Sequence, residues 1–341
     1  MVPPSFIAWK LHWNPTTVFN QISKRCGQVL GGLLNATFGN AVEVAVDIVA
    51  LENGYIDVVQ MSMLGSILLN FLLVLGACFL FGGIVNMYNK ETGQGMEQTF
   101  ASATAEKSCS LIVLSSASLL IPATLFSLLG NVDSFEKEHS ILVLSRGTAI
   151  IPLIFYALYL LFLLYTHPNL FKPDIESSDA EEAEIGPKAA VIMLMITTVL
   201  VAICANNLVE SIEPTVETAG LSKKFIGLII IPIIGNAAEH LTAIVMATRN
   251  NMDLALQIAI GSSNQIALLV TPFFVILAWA VFDEPMTLHF DIFSTFTFAL
   301  SVLVVVYTVQ DGKSNYLEGA LLLGLYLIIA LAFYVSPMVS V

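Results

Sequence analysis

Two glutamates, Glu43 and Glu239, stand inside apolar runs, and each closes the same five-residue unit, Gly-Asn-Ala-x-Glu. An ionisable group in hydrocarbon is costly and marks a functional position by default. Glycine, here Gly39 and Gly235, lets a helix open, and the carbonyls so freed can act as ligands. Asn40 and Asn236 each add a neutral side-chain oxygen. Two such breaks facing each other would gather two carboxylates, two amide oxygens and several carbonyls into a hard, all-oxygen cage. Calcium accepts six to eight oxygens in flexible geometry, whereas magnesium demands a stricter octahedron. No His or Cys cluster offers soft ligands, which argues against a dedicated zinc or copper site and leaves manganese(II) open.

Charge counting suggests a cycle. Two carboxylates neutralise one divalent ion. Once the ion leaves, the bare pair repels itself and lacks solvation, and both effects drive proton uptake. A site holding either one divalent cation or protons is a cation/proton exchanger. His240 points about 100° away from Glu239 around a helix, as a proton relay or as a packing residue. Asp47 lies one turn from Glu43 on the same face, but its repeat counterpart is Ala243, so it ranks low. Ser62, Ser66 and Asn70 form a stripe at i, i+4, i+8. Ser262, Ser263 and Gln265 occupy the matching stretch of the second copy. These six line a secondary ion path or serve small-residue helix packing.

The elements that must position these residues are transmembrane helices. Of the 341 residues, 57% are apolar and only 11% charged, with mean hydropathy +0.84. A soluble domain carries roughly 25% charged residues, so a soluble enzyme is excluded. The net charge of −13 repels phosphate and disfavours nucleic acid. Four scattered cysteines form no disulfide framework. A span needs about 20 apolar residues, and nine stretches qualify: 27–51, 58–85, 108–129, 140–165, 188–212, 225–247, 254–282, 291–310 and 314–337. The class is all-α and polytopic, embedded in membrane lipid. Residues 1–26 form an N-terminal segment that is not a signal peptide. Residues 27–165 form a first repeat of four spans, 166–187 an acidic linker, and 188–341 a second repeat of five spans.

A shift of 196 residues superposes Gly39 on Gly235, Asn40 on Asn236, Glu43 on Glu239, Asp57 on Asp253, Gly65 on Gly261 and Ser66 on Ser262. The copies begin in spans one and six. Five spans apart is an odd number, so they run in opposite directions, as in many secondary transporters. Nine loop cations (Lys10, Lys24, Arg25, Lys90, Lys107, Lys172, Lys188, Arg249, Lys313) lie on one side of the membrane and three (Lys137, Lys223, Lys224) on the other. The positive-inside rule then places the N-terminus and the linker in the cytoplasm. The linker run Asp174, Glu176, Asp179, Glu181, Glu182, Glu184 is a solvated connection or a cation-attracting, regulatory segment.

With these residues in view, GGLLNATFGNAVE (31–43) and IGNAAEH (234–240) resemble the two signature repeats of the cation/proton exchanger (CAX) family, in the calcium/cation antiporter superfamily. The closest likeness is to fungal vacuolar calcium/proton exchangers. The resemblance implies an eleven-helix family fold and movement of calcium into the vacuole against protons, without a cofactor or enzymatic chemistry. It maps the family's two ion-binding glutamates onto Glu43 and Glu239, and their neighbouring asparagines onto Asn40 and Asn236. The chain departs from the family in three places. Two spans usually found before residue 27 are expected to be absent. TTVFNQISKRCG (16–27) carries Asn20 and Gln21 where carboxylates are usual. CANNLVES (204–211) carries Asn206 in place of Glu, while Glu210 remains. The first reading is an alternating-access calcium/proton antiporter of the vacuolar membrane. The alternative is a truncated, non-transporting calcium-binding membrane paralogue or subunit, and a sodium/calcium exchanger is a third reading. A homo-oligomer or a partner chain that completes the fold is compatible with the first two.

Overall fold

The structure, a computed structural model, describes residues 40–89, 92–100, 102–129, 134–167 and 187–336. Its helices are α1 (Ala41–Glu52), α2 (Ile56–Val85), α3 (Ser102–Leu128), α4 (Ser134–Leu161, continued by a π-turn over Phe162–Thr166), α5 (Pro187–Glu210) and α6 (Ile212–Ala219). They continue with α7 (Lys223–Thr248), α8 (Met252–Phe282), α9 (Ile292–Val309) and α10 (Tyr316–Val335). Two short strands, β1 (Gln98–Thr99) and β2 (Lys313–Ser314), pair antiparallel, with Gln98 opposite Ser314. Eight helices among the described residues are long and apolar enough to cross a membrane. The first expected span, 27–51, enters the described residues only at Asn40. Asn20, Gln21, Gly39 and the acidic run of the linker lie outside them.

The apolar residues are distributed as a bilayer requires. α2 is enveloped by other helices, with Phe71, Leu72, Leu75 and Phe79 almost fully buried. The outer helices turn large side chains outward, among them Ile154 and Leu158 on α4 and Ile328 and Leu331 on α10. In water these faces would drive aggregation; in lipid they are the solvated surface.

The duplication persists in the backbone. Each hairpin turns through one left-handed residue at the same repeat position, Gly54 (φ 75°) in the first and Asn250 (φ 61°) in the second. The helix that follows carries a π-turn at matching places, Leu69–Val74 in α2 and Ile266–Val270 in α8. A π-turn widens a helix by one residue, and such turns gather at functional sites.

The loops sort into two groups at opposite ends. At one end, β1 pairs with β2, Gln98 Nε2 donates to the Ala247 carbonyl and Asn250 Oδ1 (both 2.9 Å), and Asn86 Nδ2 donates to the Thr248 carbonyl. At the other end, Lys223 lies over the Tyr55 ring and Lys224 pairs with Asp291 at 2.9 Å. The segment 283–291 folds in here, burying Met286, Leu288 and Phe290. Gln60 Nε2 donates to its Thr287 carbonyl at 2.7 Å, and its Leu288 N–H donates to Ser145 Oγ at 2.9 Å. The 249–251 turn therefore sits at the first end and the 53–55 turn at the second, which is the inverted relation that the span count requires.

Close helix contact uses missing side chains. Gly65 of α2 meets the π-turn of α7 (Ile226–Ile230), where a Cβ would overlap the Leu228 carbonyl. Gly319 of α10 meets α2 at Gly76 and Leu80 in the same way. Small residues at such crossings let backbones touch, which is how helices associate in lipid.

Candidate cation site

Asn40 and α1 carry the described part of the first signature unit, and α7 carries the second. Asn40 (2% exposed), Glu43 (5%) and Asn236 (3%) are buried, and Glu239 is partly so. Asn236 lies beside Glu43, and Glu239 lies within reach of the Glu43 charge. The two signature glutamates are thus close enough to interact electrostatically.

Gly235 departs from expectation. It lies within a continuous α-helix, Ile231–Thr248, and no break opens at it. The irregularity falls a turn earlier, at the Ile226–Ile230 π-turn. A π-turn absorbs a local mismatch without freeing a whole turn of carbonyls, so helix opening at a glycine is not how the second copy is arranged.

α2 and α8 supply the surrounding polar wall. Asn40 bridges to α8 twice: Ser262 Oγ donates to its Oδ1 at 2.8 Å, and its Nδ2 donates to Gln265 Oε1 at 2.9 Å. Ser66 and Asn70 of α2 are buried, and the Ser66 hydroxyl and Asn70 Nδ2 make no hydrogen bond. Ser263 spends its hydroxyl on the Ala259 carbonyl of its own helix, which fits the packing reading. His240 is buried with Nε2 unpartnered. Glu210 is exposed, unlike the buried polar residues of this cluster. It stands on an exposed face of α5, accepting a hydrogen bond from Asn206 at 2.7 Å. The substitution at 206 thus pairs with the retained acid one turn on, at an exposed position.

Buried polar residues on α8 that escaped the sequence reading include Asn264, inside the Ser-Ser-Asn-Gln run, and Thr271, which follows the α8 π-turn. The polar run itself was the available signal for Asn264. Thr271 carried none, because an isolated threonine in an apolar helix reads as packing.

Several buried polar atoms point inward with no partner of good geometry: Glu43 Oε1, both oxygens of Asp47, Asn236 Nδ2 and the hydroxyls of Ser62 and Ser66. Native proteins rarely leave such groups unmatched without a functional reason. Among the described residues, no three His, Cys, Asp or Glu side chains converge enough to hold a metal by themselves. A cation at the centre would therefore draw on paired carboxylates and neutral oxygens, which suits a hard ion that must also leave.

Inverted helix hairpins enclosing opposed buried carboxylates define a polytopic secondary cation transporter. Comparison with known proteins carries this further. The sodium/calcium exchanger protein family model matches residues 16–165 and 189–335. The "Vacuolar calcium ion transporter" of Schizosaccharomyces pombe is 43% identical over 98% of this chain and 83% of its own length. The "Ca(2+)/H(+) antiporter" of Aphanothece halophytica is 37% identical, over 99% of this chain and 95% of its own. The solved structure of native YfkE superposes with a TM-score of 0.74 at 33% identity, covering 98% of this chain and 97% of that one. The chain belongs to the sodium/calcium exchanger family, on its cation/proton exchanger branch.

Proposed function

We propose that the protein exchanges calcium for protons across a vacuolar membrane by alternating access. Glu43 carries the proposal: a buried carboxylate, opposed by Glu239 and flanked by Asn236, with an oxygen that no protein group satisfies. The names of the similar proteins in fission yeast and Aphanothece support the cargo and the counter-ion, and the fission-yeast name supports the vacuolar membrane. In this reading the two glutamates neutralise one calcium ion, while Asn40 and Asn236 add neutral oxygens. Departure of the ion leaves two carboxylates that repel, and protons replace it. The proton gradient supplies the driving force, so neither a nucleotide nor a cofactor is needed. The non-transporting alternative is not favoured, because exchangers align over nearly the whole chain and both glutamates are kept.

The test is calcium uptake into acid-loaded vesicles containing the purified full chain. Glu43→Gln and Glu239→Gln are each expected to abolish uptake, and a protonophore to collapse it. Uptake that persists in either variant overturns the central pair. Uptake indifferent to the protonophore overturns proton coupling. Competition by manganese(II) in the same vesicles decides whether it is a second cargo.

A further inference from the structure

Asp47 is 1% exposed, and neither of its carboxylate oxygens has a hydrogen-bond partner. Ser62 of α2 lies beside it, also 1% exposed, with its hydroxyl close enough to interact with the Asp47 carboxyl but outside good hydrogen-bond geometry. Burying a carboxylate beside an unmatched hydroxyl is costly, and packing alone gives no reason to keep it. The duplication sharpens the point. A shift of 196 residues turns Asp47 into Ala243 and Ser62 into Ile258, so the second hairpin is apolar where the first is polar.

The placement is directional. Asp47 lies one turn beyond Glu43 toward the Asn53–Tyr55 turn. Ser62 lies on α2 between Ser66 and that same end, and Gln60, bonded to the Thr287 carbonyl, comes next. Ala243 and Ile258 occupy the equivalent positions toward the opposite end, at the Arg249–Asn251 turn. Among the described residues no three acids converge, so Asp47 is no third wall of the central cage.

We propose that Asp47 and Ser62 form a one-sided transit station for the divalent cation, between the Glu43–Glu239 pair and the membrane end closed by Gln60 and Thr287. On the loop-charge count this is the non-cytoplasmic end. A carboxylate with an adjacent hydroxyl presents hard oxygens to a calcium ion that keeps part of its water. The repeat-equivalent positions toward the opposite end, Ala243 and Ile258, carry only hydrocarbon, so the two faces differ in apparent calcium affinity. The station rests on the reading of the central pair.

The experiment uses the full chain in proteoliposomes sorted to a single orientation, with calcium titrated from each face in turn. Asp47→Asn, which keeps shape but removes charge, is expected to raise half-saturating calcium about tenfold at the Gln60 face, the loss of one charge-assisted contact. The other face should change little. Ser62→Ala should move the same face in the same direction by less. Asp47→Ala combined with Ala243→Asp should transfer the tighter binding to the opposite face. An equal shift at both faces, or none, overturns the station. So does an Asp47→Ala chain that fails to fold while Asp47→Asn transports normally, which would assign Asp47 to packing. Failure of the central pair reads out separately, as full transport by Glu43→Gln.

Discussion

Asn40 Oδ1 accepts a hydrogen bond from Ser262 Oγ at 2.8 Å, yet the repeat-related pair, Asn236 and Ser66, makes no such bond. The two halves carry the same residues and hold them differently. Two inverted copies in unequal conformations are what alternating access requires of a transporter caught facing one side.

This inequality predicts unequal substitutions. Ser262→Ala leaves the buried Asn40 oxygen short of a donor and should cost about 1–2 kcal/mol. Ser66→Ala removes a hydroxyl with no partner in this conformation and should cost near zero. Thermal unfolding of both variants in the same detergent checks the difference. Equal destabilisation would show that the asymmetry is not a property of the resting state.

Two glycines on α10 should also behave oppositely. At Gly319 an added methyl overlaps the α2 backbone at Leu80, so Gly319→Ala should destabilise by about 1–3 kcal/mol. At Gly324 nothing lies within 4 Å, and alanine should be neutral or stabilise by about 0.5–1 kcal/mol. Melting temperatures of the two single variants are the measurement.

Acid should loosen the end at which segment 283–291 folds in, through two groups in two windows. Burial against Phe126 pushes His289 below its ordinary value; Asp291 pulls it up, and Lys137 and Lys224 add to the lowering. A base whose folded value is lowered binds more protons when unfolded, so stability falls as pH drops through about 6.5 toward the folded value. His289→Gln should flatten that slope between about pH 7 and 5.

Asp291 titrates lower. Burial alone would raise it, but the Ser294 N–H (2.9 Å) and the Lys224 ammonium (2.9 Å) outweigh burial and hold the carboxyl below its usual range. Its contribution is complete above about pH 4 and is lost as pH falls through the lower folded value. Asp291→Ala removes the N-cap of α9 and should cost about 1 kcal/mol at neutral pH. The cost should vanish in strong acid, and melts of both chains across the pH range test this.

Much of the fold was open to reading along the chain. Span positions follow from hydropathy, a local property, and the helices α2 to α5 and α7 to α10 fall where the apolar runs are; the short α6 was not signalled, because its run IEPTVETA is not apolar. The repeat was legible because Gly-Asn-Ala-x-Glu recurs at one fixed offset with no gap, and an offset of five spans, an odd number, makes the copies antiparallel. Glu43 and Glu239 were legible because a charge in a hydrocarbon run has few purely structural uses. Gly235 was misread because the π-turn at Ile226–Ile230 has no residue signature; it reflects how α7 seats against Gly65 of α2. The exposure of Glu210 was not legible because family position does not say which face of a helix looks inward.

The chain alone therefore determined the helices, their inversion and the acids at their centre, since each depends on residues near one another or on exact recurrence. Only the tertiary structure decided which asparagine is held, that Asp47 has a serine beside it and nothing to bond, and that segment 283–291 closes over one end. Those outcomes join residues as much as 229 positions apart. They depend on how closely helices pack, and neither hydropathy nor spacing encodes that.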